Sequence, residues 1–156
     1  MATGQRILIV ANQTIAGDAL RAAVVERIAS GLRNFVLLVP IVSYATRSFA
    51  SPAAVEVGIP MVPTEEVDYE RKLGEQRLAY GIEWLEELGA GGAQGEVLPT
   101  SETPEKVRDL VEAGDVVEVI VSTLPSRLSK WLRQDLPHRI DRKVDVPVVV
   151  ITPADE

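Results

Sequence analysis

Short apolar runs that alternate with segments of helical period constrain the fold of this 156-residue chain more than any other feature. The runs are rich in valine and isoleucine, as strands buried on both faces are. They cover residues 6–11, 35–42, 96–98, 116–122 and 146–151. Strands that alternate with helices predict an α/β fold, in which a five-stranded parallel sheet carries helices on both faces.

The segments between the runs have the period of amphipathic helices. Apolar residues recur every third or fourth position over residues 15–31 and again over 64–88, which predicts a first helix and a longer second one. A third helix is predicted from a threonine cap at Thr103 to a glycine stop at Gly114. A fourth is predicted around residues 128–136, before the last strand.

Two connections differ from the rest. Residues 89–95 are rich in glycine and predict a turn. Residues 43–64 contain three prolines and no clear period, and so long a connection is uncommon in a compact domain. We expect this second segment to cover a site or to contact a partner.

The composition excludes most metal and nucleophile chemistry. The chain has no cysteine, which excludes disulfides, cysteine-based zinc sites, iron–sulfur clusters and thiol nucleophiles. Its single histidine, His138, excludes a multi-histidine metal site, and no G-x-S-x-G nucleophile motif is present. We therefore predict no catalytic residue and no metal site, with His138 at the surface or an interface, in a protein that is not an enzyme.

Length and charge narrow the class of protein. The chain is predicted to fold as a single domain over residues 1–156. Its net charge of −7 argues against nucleic acid as a partner. No run approaches the roughly 18 apolar residues of a membrane span, and no charged leader precedes the first apolar run. These patterns predict a soluble, cytoplasmic protein with neither a membrane nor a nucleic acid as partner.

Polar side chains follow the first and the fourth strand. In parallel sheets of this kind, ligands bind beyond the carboxyl ends of the strands, where the strand order reverses. The candidate ligand-binding residues are therefore Asn12, Thr14, Ser122, Thr123, Ser126 and Arg127. The alternative is that Asn12 and Thr14 only cap the first helix.

The element order, the polar turn after the first strand and the closing stretch over residues 117–151 resemble the universal stress protein family. The resemblance covers nearly the whole chain, and it implies a Rossmann-like sheet of the adenine nucleotide alpha hydrolase-like kind. In that family the first strand usually ends in an aspartate that is followed shortly by a serine. Asn12 stands in the position of the aspartate here, and Thr14 in that of the serine.

The resemblance also implies a nucleotide loop that this sequence lacks. The family members that bind ATP carry the pattern G-x2-G-x9-G-(S/T) after the fourth strand. Thr123 and Ser126 stand at the first two glycine positions, and no glycine occurs after Gly114. Pro125 also removes a backbone N–H from this loop. We therefore predict no cofactor: ATP and AMP are disfavoured, and the protein is a divergent member of the family with little or no ATP binding.

Basic side chains leave a second interpretation open. Arg127, Lys130 and Arg133 recur every third residue beside several hydroxyls, so side chains could bind a nucleotide or a small anion where backbone N–H groups cannot. The alternative is a helix face exposed to solvent.

The last strand points to self-association. An apolar strand at the edge of a sheet aggregates unless it is paired. Members of the universal stress protein family commonly dimerise through this strand, which implies a homodimer through residues Val146 to Ile151. The sequence and the resemblance together predict a non-catalytic dimer that acts in a stress response by binding a protein partner or a small ligand.

Overall fold

The computed structural model describes residues 5–41, 64–123 and 136–152. A short 3₁₀ turn, Thr100–Glu102, precedes the third helix. In chain order the other elements are β1 (Arg6–Val10), α1 (Asp18–Ala29), β2 (Asn34–Ile41), α2 (Thr64–Leu88), β3 (Gly92–Pro99), α3 (Thr103–Glu112), β4 (Val116–Ser122), α4 (Leu136–Asp141) and β5 (Val148–Ile151).

The five strands form one sheet in the order β3-β2-β1-β4-β5, and all neighbouring strands are parallel. This confirms the predicted fold class. β1 lies at the centre, and β3 and β5 form the two edges. No helix in the described ranges is long and apolar enough to cross a membrane.

Alternate residues of the strands feed two apolar cores, one on each face of the sheet. In β1, Ile7 and Ile9 pack with α1 and α2 on one face, whereas Leu8 and Val10 pack with α3 and α4 on the other. All four side chains are fully buried. The period of two along the strand and the apolar faces of the helices therefore produce the predicted layers.

Glycines end the helices, as predicted. Gly31 has a φ of 102°, and the N–H groups of Gly31 and Leu32 donate to the carbonyls of Ile28 and Arg27, which closes α1 with a Schellman motif. Gly114, with a φ of 100°, ends α3. Only glycine enters this left-handed region without steric cost, so these stops are encoded locally.

Three predicted boundaries were wrong. The first helix starts at Asp18, because Ala16 has a left-handed φ of 67° and cannot belong to a right-handed helix. The third helix is capped by Glu102, since the preceding 3₁₀ turn runs directly into it and the Thr103 hydroxyl donates to Pro99 O. β5 starts two residues later than predicted, at Val148.

The predicted glycine-rich turn over residues 89–95 is confirmed only for residues 89–91, where Gly89 has a φ of 113°. β3 begins at Gly92 and pairs with β2 along its whole length, from Asn34 opposite Gly92 to Ile41 opposite Pro99. The glycine at position 95 is required by packing rather than by a turn. A Cβ there would overlap the carbonyl oxygen of Leu37 and lie 2.9 Å from a methyl carbon of Leu78.

An ion pair joins α1 to β4. Arg27 donates two hydrogen bonds to the carboxylate of Glu118, from Nε at 2.9 Å and from Nη2 at 2.8 Å. Both side chains are largely buried. The hydrogen bond to Glu118 raises the pKa of Arg27, and burial opposes the shift. Fork-to-carboxylate geometry of this kind is strong, and it fixes the position of α1 on the sheet.

Candidate functional site

The carboxyl ends of β1 and β4 lie side by side at the point where the strand order reverses. From β1 the chain moves outward to β2 and β3, and it then crosses back to β4 on the other side of β1. Val10, the last residue of β1, lies opposite Val121, the last residue but one of β4. Residues directly after them therefore meet at the edge where open parallel sheets bind ligands.

Asn12 is held at both ends of its side-chain amide. Its Nδ2 donates to the carbonyl oxygen of Pro40 at 2.7 Å, and its Oδ1 accepts from Nη1 of Arg77 at 2.5 Å. A carbonyl only accepts and a guanidinium only donates, so these two partners determine the orientation of the amide. Asn12 thereby ties the end of β1 to β2 and to α2.

The position of Arg77 depends on the close approach of α2 to the sheet. Gly81 is buried, and a Cβ there would lie 2.5 Å from Leu37 Cδ2 and 3.2 Å from Ile15 Cγ2. Because Gly81 has no side chain, α2 packs closely against β2 at this position. Arg77 lies one turn before Gly81, and from there its guanidinium reaches Asn12.

Sequence reasoning missed Arg77. Its signal was a basic residue next to Leu78 on the inner side of α2, one turn from the buried Gly81 and two turns from Trp84, which packs in the core. A charged residue at that place on an amphipathic helix indicates a specific polar partner beneath it.

Thr14 and Ser122 meet across the site. Their hydroxyl oxygens are 2.6 Å apart, and Thr14 Oγ1 also lies 3.3 Å from the carbonyl oxygen of Ser122. The two residues are separated by 108 positions along the chain. The structure therefore brings together two of the predicted site residues and links the loop after β1 to the end of β4.

Thr123 is directed towards β5. Its hydroxyl lies 2.8 Å from Oγ1 of Thr152, and its backbone N–H donates to the carbonyl of Ile151 at 2.8 Å. Ser122 and Thr123 are 2% and 1% exposed. Thr123 thus joins the ends of β4 and β5, whereas Ser122 faces Thr14.

The alternative in which Asn12 and Thr14 cap the first helix is wrong. The N-cap of α1 is Gly17, which has no side-chain cap, and the side chains of Asn12 and Thr14 bond to β2, α2 and β4. The loop after β1 instead closes on itself, with the Gly17 N–H donating to Thr14 O at 3.0 Å. This turn separates the two polar residues from the helix start.

The remaining predicted site residues, Ser126 and Arg127, lie outside the described residues. His138 is exposed in α4. In the described part of the chain, no group of three or more histidine, cysteine, aspartate or glutamate side chains is placed to hold a metal ion. What this part of the site offers is an amide, hydroxyls and one guanidinium.

No protein-family model matches this chain, and no curated protein matches it. Solved structures do match. A universal stress protein from Archaeoglobus fulgidus has a TM-score of 0.62 at 15% identity, covering 94% of this chain and 98% of that one. A member of the universal stress protein family from Burkholderia pseudomallei has a TM-score of 0.60 at 17% identity, covering 99% of both chains.

A third match is the universal stress protein from Archaeoglobus fulgidus in complex with dAMP, with a TM-score of 0.58 at 15% identity over 94% of this chain and 97% of that one. This chain has the fold of the universal stress proteins. The likeness is that of an α/β fold with a five-stranded parallel sheet and helices. At these identities it concerns the fold and leaves the ligand of this chain open.

Proposed function

We propose that this chain is a universal stress protein-like, non-catalytic, cytoplasmic homodimer that binds little or no ATP. In this proposal it acts in a stress response through a protein partner or a small ligand. The fold supports the likeness to the universal stress proteins. The other parts of the proposal rest on the residues of the chain itself.

The internal bonding at the carboxyl edge of the sheet carries the proposal of weak ATP binding. Asn12 is bonded to Pro40 and Arg77, Thr14 is bonded to Ser122, and Thr123 is turned to Thr152. A nucleotide would have to break these bonds before it used the donors and acceptors that they engage. The sequence also has no glycine after Gly114, so no glycine-rich backbone follows β4 to approach phosphates closely.

The chemistry of the described site residues supports a non-catalytic role. They offer neutral hydroxyls, an amide and the guanidinium of Arg77, and the only histidine is exposed in α4. General acid–base catalysis needs a titratable group within hydrogen-bond reach of the reacting atoms. None of the site side chains described above is a carboxylate, a histidine or a thiol.

The edge position of β5 supports a homodimer. β5 pairs with β4 on one side only, and its residues Val148–Ile151 are all apolar. Val150 is 44% exposed. A second copy that paired with this edge would cover it, and a twofold axis would make the contact self-complementary.

Isothermal titration of the purified protein with ATP, ADP and AMP tests the proposal of weak ATP binding. We expect no heat of binding at low micromolar nucleotide. A dissociation constant tighter than about 10 μM for any of the three would contradict the proposal. The Archaeoglobus fulgidus protein that was solved with dAMP, titrated with dAMP, is a suitable positive control.

A nucleotide or small-anion sensor is the second candidate, and the match to a protein in complex with dAMP favours it. In that case the hydroxyls and Arg127 would replace the glycine-rich loop. If ATP binding is measured, Arg127→Ala should weaken it by about 1–3 kcal/mol, as expected for charge-assisted hydrogen bonds. Arg139→Ala, which removes an exposed arginine of α4, is the matched control. Equal binding by both variants would contradict the second candidate.

A further inference from the structure

Four arginines in the described part of the chain are half-buried, and one of them has no acidic partner there. Arg6 lies 3.7 Å from a carboxylate oxygen of Asp115, Arg27 binds Glu118 at 2.8 Å, and Arg108 lies 2.9 Å from Glu105. Arg77 instead donates to the neutral amide oxygen of Asn12. The other described arginines are exposed to solvent.

Within the described residues, no carboxylate balances the charge of Arg77 at the carboxyl edge of the sheet. A guanidinium has five N–H donors, and within the described residues Arg77 uses one of them, on Asn12. A half-buried cation without a counter-charge is costly, because the protein replaces water without supplying the opposite charge. A bound anion would remove that cost.

The loop after β1 supplies neutral donors. Asn12 uses one N–H of its amide on Pro40, and no other described residue accepts from this amide. Thr14 lies two residues further along the same loop, and its hydroxyl meets that of Ser122. Arginine, amide and hydroxyl groups thus follow one another where the order of strands reverses.

The charge and the shape of these groups favour one class of ligand. The planar fork of a guanidinium pairs with the oxygens of a carboxylate or a phosphate, but one guanidinium balances only one negative charge, as a carboxylate carries. A polyphosphate carries more charge than this cluster balances. We propose that Arg77 and Asn12 form a receptor for a small carboxylate anion at the carboxyl edge of the sheet, where the end of β1 meets β2 and α2. This inference rests on the proposed function in that it takes the site to hold no ATP.

Nuclear magnetic resonance titration of the full-length, ¹⁵N-labelled protein tests the receptor, with acetate as the probe and chloride at equal ionic strength as the blank. We expect a saturable shift of the Arg77 Nε–H signal and of the Asn12 side-chain amide signals with acetate, and none with chloride. Inorganic phosphate is the second arm, and it should bind at least about tenfold more weakly than acetate.

Two variants make the result specific to Arg77. Arg77→Gln removes the cation. Asn12→Asp places a carboxylate of the protein next to Arg77, where it would compete with acetate. Each substitution should weaken acetate binding by at least about tenfold. Arg71→Gln is the matched control, since it removes an exposed arginine from the same helix and should change the affinity by less than about twofold. If Arg77→Gln does not fold, the acetate titrations of Asn12→Asp and of the unaltered protein, followed at the Arg77 signal, still test the receptor.

The inference would be overturned by the lack of a saturable shift of the Arg77 signal up to about 100 mM acetate, or by tighter binding of phosphate than of acetate. Equal weakening by Arg71→Gln and Arg77→Gln would do so too, because it would indicate general charge attraction. Tight ATP binding would instead contradict the proposed function. A protein that binds neither ATP nor acetate would retain the proposed function and lose the receptor.

Discussion

The strand at one edge of the sheet is polar where it is exposed, whereas the strand at the other edge is wholly apolar. In β3, Gln94, Gly95 and Glu96 are exposed, and Glu96 forms an ion pair with Lys106 of α3 at 2.7 Å. β5 has only four residues, all valine or isoleucine. Among the described residues, each of these two strands has one side without a partner strand.

The two edge strands differ in how readily they would pair with another chain. Charged and polar side chains on an edge disfavour pairing with another chain, and an apolar edge favours it. The β3 edge therefore carries features of a surface that stays monomeric, and the β5 edge those of a contact. The predictions below test this contrast, in order of decreasing effect.

Gly95→Ala is expected to have the largest effect, because the new Cβ would overlap Leu37 O and crowd Leu78. We expect a loss of about 3 kcal/mol in the free energy of unfolding, measured by urea denaturation. Gly91→Ala is the matched control, since a Cβ there has its nearest neighbour, Arg33 Cβ, at 3.7 Å. Similar stability of the two variants would mean that β3 does not need a glycine to pair with β2.

Glu118→Gln should have the next largest effect. Glu118 lies one residue before the stretch of β4 that β5 covers, and it holds Arg27 with two hydrogen bonds. Arg27 and Glu118 are 15% and 18% exposed, so solvent screens the pair only in part. We expect a loss of about 2 kcal/mol in unfolding free energy. Glu26→Gln, which alters a more exposed partner of Arg27, should cost less than about 0.5 kcal/mol.

Val150→Lys tests the contact at the apolar edge. The side chain of Val150 is already exposed, so the substitution should leave the monomer folded while it places two like charges together in a twofold contact. We expect self-association to weaken by at least about tenfold in sedimentation, or about 1.4 kcal/mol. Gln94→Lys puts the same charge on the β3 edge and should leave the mass of the assembly in sedimentation unchanged. Dimers of equal strength in both variants would place the contact elsewhere.

Glu96→Gln should have a small effect. The ion pair with Lys106 joins two side chains that are 46% and 39% exposed. Exposed pairs contribute little, so we expect a change below about 1 kcal/mol in unfolding free energy, and a smaller one in high salt. A larger loss of unfolding free energy that does not depend on salt would mean that this ion pair stabilises the fold, in addition to keeping the β3 edge polar.

The smallest effect is expected from pH, at Glu105 beside Lys106. A hydrogen bond from Lys143 and the charge of Arg108 hold the pKa of the Glu105 carboxyl below its usual value of 4.5. A lowered folded-state pKa contributes stability that is present above about pH 4.5 and is lost as the pH falls through the folded value. Thermal melts from pH 6 downwards should therefore bring the wild-type protein and Glu105→Gln closer together. A constant gap would contradict this linkage.

Most of the sheet and its helices could be predicted because their signals are local. The bounds of β4 and the end of α2 at Leu88 agree with the sequence patterns, and Gly31 and Gly114 stop helices where a left-handed φ is needed. β3 could not be predicted in full. Its glycines indicate a turn when they are considered alone, whereas in the fold they permit close packing against β2.

The sequence predicted that Asn12, Thr14 and Ser122 lie at one edge of the sheet, but it did not predict their contacts. Asn12 and Thr14 follow β1 and Ser122 ends β4, and parallel strands bring such positions to one edge. That Thr123 turns to β5 and that Arg77 binds Asn12 are consequences of packing. No local pattern encodes which way a buried hydroxyl points, since that depends on the acceptors that other elements bring near it.

The sequence by itself determined the α/β layers, the helix stops and the absence of cysteine and of glycine after Gly114, because hydrophobic period and backbone freedom are properties of neighbouring residues. Only the tertiary structure decided that Arg77 faces a neutral amide and that Thr14 meets Ser122. These pairs are 65 and 108 residues apart. They form only when crossovers and the low approach of α2 place distant parts of the chain at one edge of the sheet.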